Sequence, residues 1–133
     1  MIAAWHPMEP AGVEEWWAGD DVAPWVLEDD GVPVGYGELW LDAEEDEVEL
    51  ARLIVPAALR GRGHGGRLTE ALTAEAARTG LTTTMLRTTE DNPVAIACYA
   101  ARGFVRLSPE EEAVWNEGQR QPWVWMVLGP QPG

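Results

Sequence analysis

The chain alternates short runs whose apolar residues repeat every second position with longer runs in which they repeat every third or fourth. Residues 25–27 and 34–41 have the first pattern and are joined through Asp29, Asp30 and Gly31, a hairpin signal. An acidic turn at 42–46 leads to a third strand at 48–55, which makes an antiparallel meander. Pro56 stops it. After a glycine-rich stretch at 60–66, Leu68, Ala71, Leu72 and Ala76 share one helical face up to Gly80, a C-terminal stop. Residues 81–88, rich in threonine, predict another strand. Asn92 and Pro93 supply an N-cap and a first-turn proline for a helix that ends at Gly103. Residues 104–107 and 123–128 predict the last two strands, joined by a long loop that starts like a capping box at Ser108. Ahead of the meander, residues 11–18 predict one short helix ending at Gly19. Three strands, then helix, strand, helix and two strands, describe a mixed α/β sheet.

Composition narrows the class. At 133 residues the chain fits one domain, expected over residues 1–128 with a frayed tail at 129–133. No apolar run approaches the roughly 20 residues that span a bilayer. A net charge of −14 repels polyanions, which disfavours nucleic acid and anionic membranes as partners. The single cysteine, Cys98, closes no internal disulfide, and the N-terminus lacks a secretory pattern, so a reduced, cytoplasmic setting is expected. No Cys/His cluster offers a metal site.

The candidate chemistry begins at Arg60-Gly61-Arg62-Gly63-His64-Gly65-Gly66-Arg67. Glycines here allow close backbone approach, and a helix start beyond them presents free N–H groups; such a nest binds phosphate. The arrangement lacks the Gly-Lys-Ser/Thr of a Walker loop and the strand context of a dinucleotide fingerprint. Arg60-x-x-Gly63-x-Gly65 resembles the Arg/Gln-x-x-Gly-x-Gly/Ala motif of the GCN5-related N-acetyltransferases, and the preceding Leu53-Ile54-Val55-Pro56 matches as well. The segment from Asn92 through Tyr99 to Gly103 and Phe104 is similar to a second motif of that family.

The resemblance spans about residues 31–128 and implies a single mixed, mostly antiparallel sheet with helices on both faces. The first helical region is shortened, since the family usually carries two helices there. It implies acetyl-CoA, or a similar acyl-CoA, as cosubstrate, with no metal. The backbone of Leu53, Ile54 and Val55 would pair with the pantetheine arm. Arg60, Gly61, Arg62, Gly63, His64, Gly65 and Gly66 would surround the pyrophosphate, and Asn92 would hold the pantetheine. Tyr99 would sit by the thioester sulfur, and Glu49, eleven residues before Arg60, would relay the ammonium proton through water with an ordinary carboxyl pKa of about 4.3. A backbone N–H near Ile54 or Val55, freed by a bulge, would bind the thioester oxygen.

The expected acceptor is a primary amine of a small molecule or peptide, and the net charge favours a small cationic one; a homodimer stays open. The competing expectation is a non-catalytic acyl-CoA sensor. Other residues are expected to be structural: His64 as an exposed loop residue, Cys98 as a small core residue, and Trp5, Trp25 and Trp125 as core. Trp16, Trp17, Trp40, Trp115 and Trp123 are expected to flank the acceptor cleft.

Overall fold

The computed structural model describes residues 2–4 and 21–129. Seven strands form one sheet: β1 (Ile2–Ala4), β2 (Val22–Asp29), β3 (Val32–Asp42), β4 (Glu47–Ile54), β5 (Thr83–Thr88), β6 (Phe104–Arg106) and β7 (Val124–Leu128). Among the described residues three α-helices accompany them: α1 (His64–Arg78), α2 (Pro93–Ala100) and α3 (Pro109–Trp115). The strand order is β1-β2-β3-β4-β5-β7-β6, with β4 and β5 parallel and all other pairs antiparallel. The short helix expected at 11–18, with Trp5, Trp16 and Trp17, lies outside the described residues, as does most of the tail.

The meander follows from its turns. Asp30 and Gly31 both take positive φ, 51° and 78°, the twist that matches a tight hairpin between right-twisted strands. The β3–β4 turn is tied to β5 through Asp46, whose carbonyl accepts from Thr83 N and whose carboxylate accepts from Thr82 N. The bonds to Thr82 hold the Asp46 carboxyl below its usual range.

Helix α1 buries Leu68, Leu72 and Ala76 against Leu39, Val48, Leu50, Leu86, Phe104, Val124 and Met126. The helix lies so close to β3 that a Cβ on Gly37 would stand 2.5 Å from Leu72 Cδ1, so any larger residue there would have to displace that buried methyl. On β7, Val124 and Met126 join this core while Trp125 alternates to the other face, where Trp115 of α3 packs edge-on at 5.3 Å. Helices therefore cover both faces. Helix α3 occupies part of the stretch expected to be a loop: Ser108 Oγ accepts from Glu111 N, and the capping signal opens a real helix.

Candidate active site

The sheet is interrupted at its centre. Tyr36 opposes Ile54 and Glu38 opposes Ala51, so β4 carries an extra residue across from Gly37. At this bulge Arg52 takes φ 53°, a left-handed conformation uncommon for a non-glycine residue. The β4–β5 ladder ends at the pair Leu50 and Leu86, while β5 continues against β7. The β5-facing edge of residues 51–55 is thus left without a ladder partner.

Two cavities open along this parting. One, of about 900 Å³, is lined by Glu49 to Leu53 of β4, Trp40, Arg87, Thr88, Thr89, Asn92, Tyr99, Arg120 and Trp123. The other, of about 200 Å³, runs under the start of α1 and is lined by Val55, Gly65, Thr69 and Cys98 among others. Both share Leu53, Asn92 and Tyr99, so together they form a groove from the N-terminus of α1 to Glu49.

At the helix end, Gly61 and Gly63 have φ of 81° and 82°, and a Cβ on either would meet open space. Their need is conformational, and a backbone with no side chain leaves room for a ligand. Gly63 is the N-cap, so α1 starts at His64, and Gly65 and Gly66 belong to its first turn rather than to the loop. His64 is accordingly buried, 6% exposed, with its ring against Arg67; the expectation of an exposed loop histidine is corrected, because Gly63 turns the chain straight into the helix. Arg60 and Arg62 are exposed, and Arg60 Nε donates to Val55 O. Gly66 is packed under the Arg102 guanidinium, which donates to its carbonyl.

Asn92 caps α2, its Oδ1 accepting from Ala95 N at 3.2 Å, while the residue also lines both cavities. Leu53 and Val55 face the groove; the Ile54 side chain lines a separate cavity of about 390 Å³ with Val26, Gly35 and Tyr36. Burial, with a smaller contribution from Cys98, raises the Tyr99 pKa above the usual phenol value, so the hydroxyl stays protonated at neutral pH. Cys98 lines the smaller cavity rather than the core.

Glu49 is not the solvated carboxylate with an ordinary pKa that its sequence suggests. It is 7% exposed and accepts two hydrogen bonds from Arg87, at 2.8 and 3.3 Å. Burial pushes its pKa up, and the bonds and charge of Arg87 offset part of that rise. Arg87 in turn donates to Gln119 and lies over the rings of Trp125, Trp123 and Trp40, at 4.8, 5.4 and 5.8 Å. Trp40 and Trp123 line the larger cavity as expected; Trp115 packs on Trp125 instead, and Trp25 packs against the core with its indole N–H buried and unpaired.

Several site residues escape the sequence reading. Glu38, 1% exposed, accepts from Tyr36 Oη at 2.5 Å and from Trp40 Nε1 at 2.7 Å, and Arg52 approaches it at 3.9 Å. The alternation Tyr36, Glu38, Trp40 along one strand face was the available signal. Asn116 exchanges hydrogen bonds with the backbone of Trp123 and accepts from Trp125 Nε1, which pins the segment 116–123 at the cavity mouth. Among the described residues no group of three or more His, Cys, Asp or Glu could hold a metal, and no helix is long and apolar enough to cross a membrane.

Comparison with known proteins bears on this cleft. A family model described as "Acetyltransferase (GNAT) family" matches residues 3–104. An IAA acetyltransferase from Azospirillum brasilense is 33% identical over 92 residues, covering 69% of this chain but only 60% of that protein. A Bacillus subtilis acetyltransferase solved in complex with CoA superposes with a TM-score of 0.75 over 98% of both chains at 14% identity. A spermidine N-acetyltransferase chimera from Vibrio cholerae and hSSAT gives 0.74 at 20% identity, over 96% of this chain and 94% of that one. At such identities these two structures speak for the fold alone.

Proposed function

The chain belongs to the GNAT acetyltransferase family, and on that premise we propose that it transfers an acetyl group from acetyl-CoA directly to the nitrogen of a primary amine. The observation that carries the reading is the parting of β4 from β5 after Leu50, which opens one groove between the N-terminus of α1 and the Glu49 and Tyr99 side chains.

The groove fits an acyl-CoA in three ways. The β5-facing edge of Leu53, Ile54 and Val55, which has no ladder partner, offers backbone N–H and C=O groups to an extended amide chain, as an added strand would. Gly61 and Gly63 leave space for phosphates at the start of α1, where first-turn N–H groups and the exposed Arg60 and Arg62 favour negative charge. Asn92, at the junction of the two cavities, stands beside the path between them. The solved relative in complex with CoA supports this choice of cosubstrate.

Transfer forms a C–N bond and breaks a C–S bond, and each charge change has a candidate residue. Glu49, above the ordinary carboxyl pKa yet kept ionisable by Arg87, takes the ammonium proton through water and so frees the nitrogen lone pair. Backbone N–H groups at the β4 bulge stabilise the oxygen of the tetrahedral species. Tyr99, protonated at neutral pH, donates to the departing thiolate and takes back the proton that the nitrogen loses as the tetrahedral species collapses to the amide. Calorimetry with acetyl-CoA, followed by free-thiol release with an amine panel, tests this. Binding with amine-dependent release supports the transfer; binding without release leaves the sensor, and no binding overturns the cofactor assignment.

A further inference from the structure

The molecule carries a net charge of −14, yet the walls of the cavity of about 900 Å³ carry three of its nine basic residues, Arg52, Arg87 and Arg120, and a single carboxylate, Glu49. Glu49 is taken up by Arg87, so that pair is locally neutral, and Arg52 has a carboxylate of its own beneath it, the buried Glu38 at 3.9 Å. The other two guanidiniums stand on separate elements that converge on the same cavity. Arg52 is fixed from below: its backbone sits at φ 53°, its guanidinium lies over the Trp40 ring at 5.7 Å, and the buried Glu38 holds the Trp40 indole at 2.7 Å. Backbone held in such a region at a cavity wall marks a position whose side chain is being aimed. Arg120 lies in the 116–123 segment that Asn116 pins, and it makes no ion pair with any described residue. Trp40 and Trp123 supply the flat walls around them.

Resting on the transferase reading above, we propose that the acceptor is an amine that also carries an anionic group, a carboxylate or a phosphate, within a few bonds of the reacting nitrogen. Arg120 receives that group, and the nitrogen is left facing Glu49. The cleft's own charges are close to the acceptor and partly desolvated, whereas the protein's net charge acts from a distance and is screened within about 8 Å at physiological salt, so the local arrangement decides. This reverses the preference for a cationic amine that the composition suggests.

The test compares propylamine, diaminopropane, beta-alanine and aminoethyl phosphate as acceptors with saturating acetyl-CoA. Beta-alanine or aminoethyl phosphate should exceed propylamine about tenfold or more in kcat/KM, with diaminopropane lowest, since a hydrogen-bonded charge is worth at least that factor. The better of the two identifies carboxylate or phosphate. Arg120→Gln, an exposed substitution that leaves the core alone, should shrink that preference about tenfold, chiefly through KM. Turnover led by diaminopropane, or an anion preference that survives Arg120→Gln, overturns the proposal while leaving the transferase reading intact. Should no amine be turned over, tryptophan fluorescence with saturating CoA still decides. Propionate or methylphosphonate must bind more tightly than propylammonium and lose that advantage in Arg120→Gln, and equal binding refutes the anion site.

Discussion

Replacing Arg87 with glutamine should move the acid limb of activity upward. Arg87 faces Glu49 with two hydrogen bonds, at 2.8 and 3.3 Å, and the two side chains are only 23% and 8% exposed. An opposite charge at this range lowers a carboxyl pKa by about 1–3 units, and its removal returns that amount. The Glu49 pKa, already raised by burial, therefore rises further in Arg87→Gln. A protonated Glu49 accepts no proton from the ammonium group, so the acid limb of kcat/KM should shift to higher pH by about the same 1–3 units. Arg87→Lys keeps the charge but loses the two-point geometry and should shift it less.

Stability moves with the pair as well. An uncompensated buried charge costs about 3–5 kcal/mol, against a total stability of about 5–15 kcal/mol. Because the folded-state pKa of Glu49 is raised, that cost is absent at low pH and grows as pH rises through its unfolded and then its folded value. The double variant Glu49→Gln, Arg87→Gln should recover part of it. The assay is kcat/KM against pH on variants shown to be folded by circular dichroism. An acid limb that stays in place in folded Arg87→Gln, or shifts downward, would refute Glu49 as the titrating base.

Tyr99→Phe keeps the edge contact with Phe104 but removes the hydroxyl, so kcat should fall about 10²-fold or more in steady-state assays while acetyl-CoA affinity measured by calorimetry barely changes. Gly63→Val forces a β-branched residue into φ 82° at the start of α1, and acetyl-CoA should bind about tenfold or more weakly, with a lowered Tm by scanning calorimetry. Glu112 accepts from Arg106 and from Trp125 N, and Arg106 holds its carboxyl below the usual range. Its contribution is therefore complete above the unfolded value of about 4.3 and lost as pH falls through the folded one, so Tm should drop on acidification more steeply in the native chain than in Glu112→Gln.

The meander, the glycine-rich loop and the Asn92 cap are legible because each depends on local chemistry: a hairpin twist, a positive φ, a side chain that satisfies a helix N–H. The joint spacing of Arg60, Gly63 and Gly65 with Asn92 and Tyr99 then pointed to the family. Features set by burial were hidden. His64 reads as a polar loop residue until Gly63 is seen to start the helix three residues earlier than the end of the glycine-rich stretch. Glu49 reads as an ordinary strand carboxylate until β5 brings Arg87, 38 residues away, against it. Arg52 and Arg120 gave no signal at all, since no local rule joins a bulge on β4 to the segment before β7. Helix α3 was missed for a different reason: seven residues with three glutamates in its first turn show no apolar stripe, and only the Ser108 cap betrayed it.

The central claim is that the groove holds acetyl-CoA so that its acetyl group passes straight to an amine. The most direct measurement is mass spectrometry of the complete reaction, counting N-acetylated amine and free CoA together and examining the protein itself. Direct transfer gives one acetyl amide for every CoA released, with the protein mass unchanged throughout. CoA released without amide, or an acetyl group retained on Cys98 or Tyr99, would contradict direct transfer.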